Sequence, residues 1–150
     1  MGRYLDAPEA VESLVAKVKA DYFPELSACH VKVLMDNKKR VSKGRITIAC
    51  IKKTNELERY FSSNNMLYEG YDFIMFIDAN IYENLEDPDR LRIIRHELRH
   101  IYYDAEAKVP YKTIDHDITD FRKEMELNVD DPNWDLRVFE VAAAVYAKDE

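Results

Sequence analysis

Tyr71-Asp72-Phe73-Ile74-Met75-Phe76-Ile77-Asp78 is the stretch that most restricts the fold. Its centre is apolar at every position, as expected of a strand covered by helices rather than one with a wet face. The flanking sequence supplies those helices. Ala7 to Tyr22 places Val11, Leu14, Val15, Val18 and Tyr22 at helical spacing, with Pro8 near the start and Pro24 as the stop. Val31–Met35 and Arg45–Ile51 read as two further strands, expected to pair across the polar turn Asp36–Arg40. Thr54 is placed to cap a short helix carrying Leu57, Tyr60 and Phe61, which Ser62–Asn65 closes. Asp87-Pro88 has the form of an N-cap followed by the first helical residue, and that helix is expected to run through Asp104. Beyond the break at Val109-Pro110-Tyr111, a helix starts near Asp115 with Ile114, Ile118, Phe121 and Met125 as its apolar stripe. Asp131-Pro132 opens a last helix carrying Trp134, Val138, Val141, Ala142 and Val145. The expectation is one α+β domain over residues 1–150. A helix and a small three-stranded sheet come first, then the helix from Asp87 and two more.

With 150 residues, 47% of them hydrophobic, the chain has enough apolar material for one core. No apolar run approaches the roughly 18 residues of a membrane span, and the N-terminus lacks an apolar signal region. Cys29 and Cys50 have neither ligand nor disulfide spacing and suit a reducing, cytoplasmic setting, with Cys29 buried beside a strand. The 22 basic and 29 acidic residues leave a net charge of −7, which argues against nucleic acid or an anionic membrane as partner. Arg92, Arg95 and Arg99 form a local basic strip, best read as salt-bridging or solvated, and Lys38-Lys39-Arg40 reads as an exposed loop.

The chemistry lies in the helix from Asp87, which contains His96-Glu97-Leu98-Arg99-His100. Two His four apart share a helical face, so both imidazoles can reach one Zn²⁺. Glu97, next to the first, projects to the side, where it can take a proton from an attacking water. With His96 at 0° and about 100° per residue, His100 falls near about 40° and Glu97 near about 100°. Leu91, Ile94, Leu98, Ile101, Tyr102 and Ala105 fall between roughly 140° and 240°, an apolar back opposite the imidazoles.

A catalytic zinc needs a third protein ligand. Tyr103 and Glu106 stand where the extended HExxHxxGxxH pattern has Gly and His, which excludes that type. His116 is the first choice, on the face opposite the Ile118, Phe121 and Met125 stripe, with Glu124, Asp120 and Asp104 as competitors. Asp104, Asp117 and Asp120 are candidates to accept a hydrogen bond from the far nitrogen of a ligating His. Tyr103, Tyr111 and Arg99 are candidates to stabilise an oxyanion.

Ile94-Arg95-His96-Glu97-Leu98-Arg99-His100-Ile101, followed by His116-Asp117-Ile118-Thr119-Asp120-Phe121 and Trp134, resembles the putative phage metallopeptidase family over residues 71 to 138. The arrangement is also similar to SprT-like proteases, in which a helix and a small sheet precede the metal helix. The resemblance implies a zincin-like fold and a zinc-dependent peptidase, with His96, His100 and His116 as ligands, Glu97 as general base, and a peptide or protein as substrate. It further implies that an extended substrate pairs with an edge strand before the metal helix, Tyr71–Asp78 or Ile81-Tyr82-Glu83, although Phe73–Ile77 reads better as core. Arg99 departs from the zincin pattern, which has an uncharged residue there. A fixed positive charge at that place would weaken cation binding or favour an anionic substrate group. The alternative function is a catalytically silent, metal-stabilised phage or prophage accessory module that binds a host partner.

Overall fold

The computed structural model describes residues 2–115 and 122–147. The elements are β1 (Tyr4–Asp6), α1 (Glu9–Tyr22), β2 (Val31–Asp36), β3 (Val41–Ser42), β4 (Arg45–Ile46), β5 (Ala49–Lys53), α2 (Glu56–Ser62) and β6 (Phe73–Asp78). They continue with α3 (Ala79–Glu83), α4 (Asp87–Leu98), β7 (Ile101–Tyr103), β8 (Tyr111–Thr113), α5 (Arg122–Leu127) and α6 (Trp134–Ala147). The architecture is α+β, with a mixed sheet in the order β1-β2-β6-β5.

The expected three-stranded sheet has four strands, because Tyr4–Asp6 adds an antiparallel edge to β2. Three exposed residues carry too little alternation to be read as a strand. The expected pairing of the second and third segments is also replaced. β6 lies between them, parallel to β2 and antiparallel to β5. The most apolar strand takes the central place, where neighbours on both sides satisfy its backbone. The segment from Arg45 is divided into β4 and β5 at Thr47-Ile48, whose backbone bonds to Arg40 and Asp78.

The two faces of β6 are not covered alike. Phe73, Met75 and Ile77 are fully buried against Val11, Val15 and Val18 of α1 and Ile94 and Leu98 of α4. Phe76 on the other face is covered by the Tyr4 ring, 5.5 Å away between centroids, and by the Arg40 guanidinium at 4.8 Å. A second apolar cluster joins Ile81 and Ile93 to Trp134, Val138, Ala142 and Tyr146 of α6.

The helix from Asp87 stops at Leu98 rather than Asp104. Ile101-Tyr102-Tyr103, aromatic and β-branched, instead pairs with Tyr111–Thr113 as a hairpin. Thr54 does not cap α2: its hydroxyl donates to the carbonyls of Tyr71 and Asp72, while Asn55 and Glu58 form a capping box. Ile81–Glu83, offered above as an edge strand, is helical, with the Asp78 side chain accepting from the Ile81 N–H. Around α5 the expected stripe is reversed. Ile114 and Met125 are exposed and Glu124 is fully buried, while Ile118 and Phe121 lie outside the described residues. Among the described residues no helix is long and apolar enough to cross a membrane.

α6 is tied to α4 through Asp89, a buried carboxylate bound in two-pronged fashion by Arg137 (2.7 and 2.8 Å) and by Arg92 (3.0 Å). The Arg137 bonds hold its pKa below the ordinary carboxylate value, overcoming burial, with Arg92 adding to them. The unfolded value is about 3.9. The stabilisation is therefore complete above it and is lost as pH falls through the lower folded value. Asp89→Asn is expected to cost about 2 kcal/mol at neutral pH. Urea unfolding along a pH series should show parent and variant converging in acid; a gap that stays constant with pH would contradict this.

Candidate metal centre

α4 is anchored on one side by Ile94 and Leu98 and on another by Ile93, which turns the His96 face toward a cleft. The helix proper ends two residues before His100. The Arg99 backbone remains in the right-handed helical region, and the His100 N–H reaches the Glu97 carbonyl at 3.1 Å. That last tight turn keeps His100 beside His96, with ring centroids 5.5 Å apart and planes at 71°. One donor atom from each of His96, Glu97 and His100 lies within 4.8 Å of the others, a cluster able to hold a metal ion.

The His100 ring is oriented from outside the helix. Its Nδ1 lies 2.7 Å from the Ile114 carbonyl oxygen, and the Ile114 N–H donates back to the His100 carbonyl at 2.7 Å. A carbonyl can only accept, so Nδ1 carries the hydrogen and the lone pair of the neutral ring sits on Nε2. The far nitrogen of the His100 ring is thus held by a backbone carbonyl. Asp104 instead accepts from the Glu106 N–H in the turn of the β7–β8 hairpin. Sequence reasoning missed Ile114 because its backbone, not its side chain, does the work.

His96 and Glu97 open into a cavity of about 410 Å³ walled by Ile46 and Ile48 before β5 and by Trp134 and Phe139 of α6. Trp134 packs α6 against Ile81 and Ile93 and also lines this space. Glu97 is only 9% exposed. Burial pushes its carboxyl up to about 7, with His96 pulling the other way.

The remaining sequence candidates are distributed as follows. His116, Asp117 and Asp120 lie outside the described residues. Tyr103 and Tyr111 pack on each other across the hairpin, 5.5 Å between centroids, and neither lines the His96 cavity. Arg99 stacks over Phe23 and binds Glu124 at 2.7 and 2.8 Å. Glu124, a competitor for the third ligand position, has its other oxygen on Arg95 at 2.8 Å, and Arg95 also reaches Asn128. The basic strip is thus salt-bridged: Arg92 binds Asp89 within α4 and Asp131 before α6, and Arg95 and Arg99 share the single Glu124 carboxylate of α5.

β6 has a strand on both sides, in keeping with the reading of Phe73–Ile77 as core, and among the described residues β5 is the sheet edge next to the cleft. No curated protein and no solved structure matches the chain. A family model described as putative phage metallopeptidase matches residues 3–146, and the chain belongs to that family.

Proposed function

We propose that the chain is a zinc-dependent peptidase in which His96, His100 and His116 hold the ion and Glu97 is the general base. The observation that carries this reading is the convergence of His96, Glu97 and His100 within 4.8 Å, with His96 and Glu97 lining a largely apolar cleft. The donor set suits the ion: two imidazoles on one helical face, one held by a backbone carbonyl in the tautomer that leaves Nε2 as the donor. Bound zinc supplies an acidified water and a positive charge for the oxygen of a polarised carbonyl.

The protein's own part is proton handling and positioning. Glu97, shielded from bulk water, takes a proton from the attacking water on a carboxylate oxygen and returns it to the departing amine. The cleft walls Ile46, Ile48 and Trp134 exclude competing water around it. An extended substrate is held by adding to the free edge of β5, which begins at this cleft. The zincin-like reading of the fold rests on the same features, a metal helix packed beneath a small mixed sheet. The one-domain reading rests on α4, which sends Ile94 and Leu98 into one core cluster and Ile93 into the other.

Elemental analysis of the purified chain beside His116→Ala tests the ligand set. The parent is expected to hold one zinc per chain. The variant is expected to lose at least about tenfold in affinity, measured by chelator competition. A parent that binds no zinc after supplementation overturns the reading; a variant with unchanged affinity removes His116 from it.

A further inference from the structure

β5 joins two cavities along an open backbone edge. Among the described residues it pairs with β6 alone, from Ala49↔Ile77 to Lys53↔Phe73. The Asp78 N–H donates to Ile48 at 2.8 Å and the Thr54 N–H donates to Asp72 at 3.0 Å, which sets the phase of the ladder. Residues 48, 50, 52 and 54 bond to β6, so Ala49, Ile51 and Lys53 turn their N–H and C=O groups outward. The cleft with His96 and Glu97 lies at the Ala49 end. Four residues on, about 14 Å at the rise of an extended strand, Lys53 lines a second cavity of about 590 Å³.

That second cavity has apolar walls and a surplus of positive charge. Met66, Tyr68 and Tyr111 line it together with Lys53, Arg59 and Lys108. Arg59 is committed to Asp72 at 3.2 Å and Glu69 at 3.7 Å. Among the described residues Lys53 and Lys108 have no ion-pair partner. Two uncommitted ammonium groups in one concavity of a chain with net charge −7 mark the place as complementary to an anion.

Resting on the peptidase reading above, we propose that this cavity is a distal substrate subsite for an acidic side chain. Antiparallel addition, the slightly stronger pairing, sends the N-terminal part of the substrate toward Lys53. The acidic residue then lies about four positions N-terminal to the bond presented to Glu97.

The test uses the full-length Glu97→Gln chain and two fluorescein-labelled ten-residue peptides of one composition. Both have an alternating Val-Thr centre; one carries a Glu pair near its N-terminus and the other near its C-terminus. In low salt, anisotropy is expected to show the first binding about fivefold tighter, with Lys53→Glu combined with Lys108→Glu abolishing the difference. Both lysines are exposed, so the double variant keeps the core. Equal affinities, a preference that survives in the double variant, or no binding of either peptide overturns the subsite. Turnover by the parent is read separately. Position-selective binding without cleavage upholds the subsite and removes the peptidase reading, whereas equal cleavage of both peptides does the reverse.

Discussion

Glu97→Gln is expected to keep the fold and the bound zinc while lowering peptide turnover by about 10²- to 10⁴-fold, the range that general-base catalysis contributes. Glutamine matches glutamate in shape, so the cleft between β5 and α6 should remain intact, yet an amide cannot accept the proton. The buried position sharpens the test, because at 9% exposure little solvent can take over the role. The measurement is cleavage of a quenched fluorescent peptide library, with zinc content and circular dichroism recorded on the same sample. A variant that turns over at the parental rate takes Glu97 out of the mechanism. One that loses its zinc shows instead that Glu97 is a ligand, as its place within the donor cluster also allows.

Glu124→Ala is expected to be the most destabilising single change in the helical layer. The carboxylate is fully buried and each oxygen receives a guanidinium, Arg95 at 2.8 Å and Arg99 at 2.7 Å. Removing it strands the Arg95 charge, itself only 5% exposed on its side chain. Breaking a buried pair from one side costs about 3–5 kcal/mol. In a chain of this length that lowers the melting temperature by on the order of 10 °C. Calorimetry beside a Glu124→Leu, Arg95→Met double variant separates the causes. If the stranded Arg95 charge carries the cost, the double variant recovers much of the loss, because it replaces the more buried of the two pairs by apolar groups and leaves only Arg99, 19% exposed on its side chain, without a carboxylate. A loss below about 1 kcal/mol in Glu124→Ala would mean that the guanidinium groups reach water instead.

These two residues differ in how they could be read from the chain. Glu97 was legible beside His96 and His100 because the helical period is local: residues four apart share a face whatever the helix packs against. Glu124 was weighed as a metal ligand, and its burial between two arginines reverses the polarity assigned to α5. Arg99 looked like an unbalanced charge beside the metal face, and its partner comes from 25 positions away. Strand positions were broadly legible and strand order was not. Alternation shows that a segment is extended, whereas its neighbours depend on which apolar surfaces are covered after collapse. The end of α4 was overrun by six residues because the apolar pattern continues through Ile101 and Tyr102, of which the hairpin buries Ile101 and leaves Tyr102 exposed.

By itself the chain determined that it is α+β, that a helix begins at Asp87-Pro88 (with Glu86 rather than Asp87 at its N-cap and no side-chain cap bond), and that two imidazoles and a carboxylate converge on one side of it. Each of these follows from periodicity and a first-turn proline over a few residues. The tertiary structure alone decided that β6 lies between β2 and β5, which leaves β5 at one edge, that the Ile114 carbonyl sets the His100 ring, and that Arg92, Arg95 and Arg99 are paired with Asp89 and Glu124. Those are contacts between segments far apart in the chain. They exist because buried donors, acceptors and charges must find partners wherever the packed core places them.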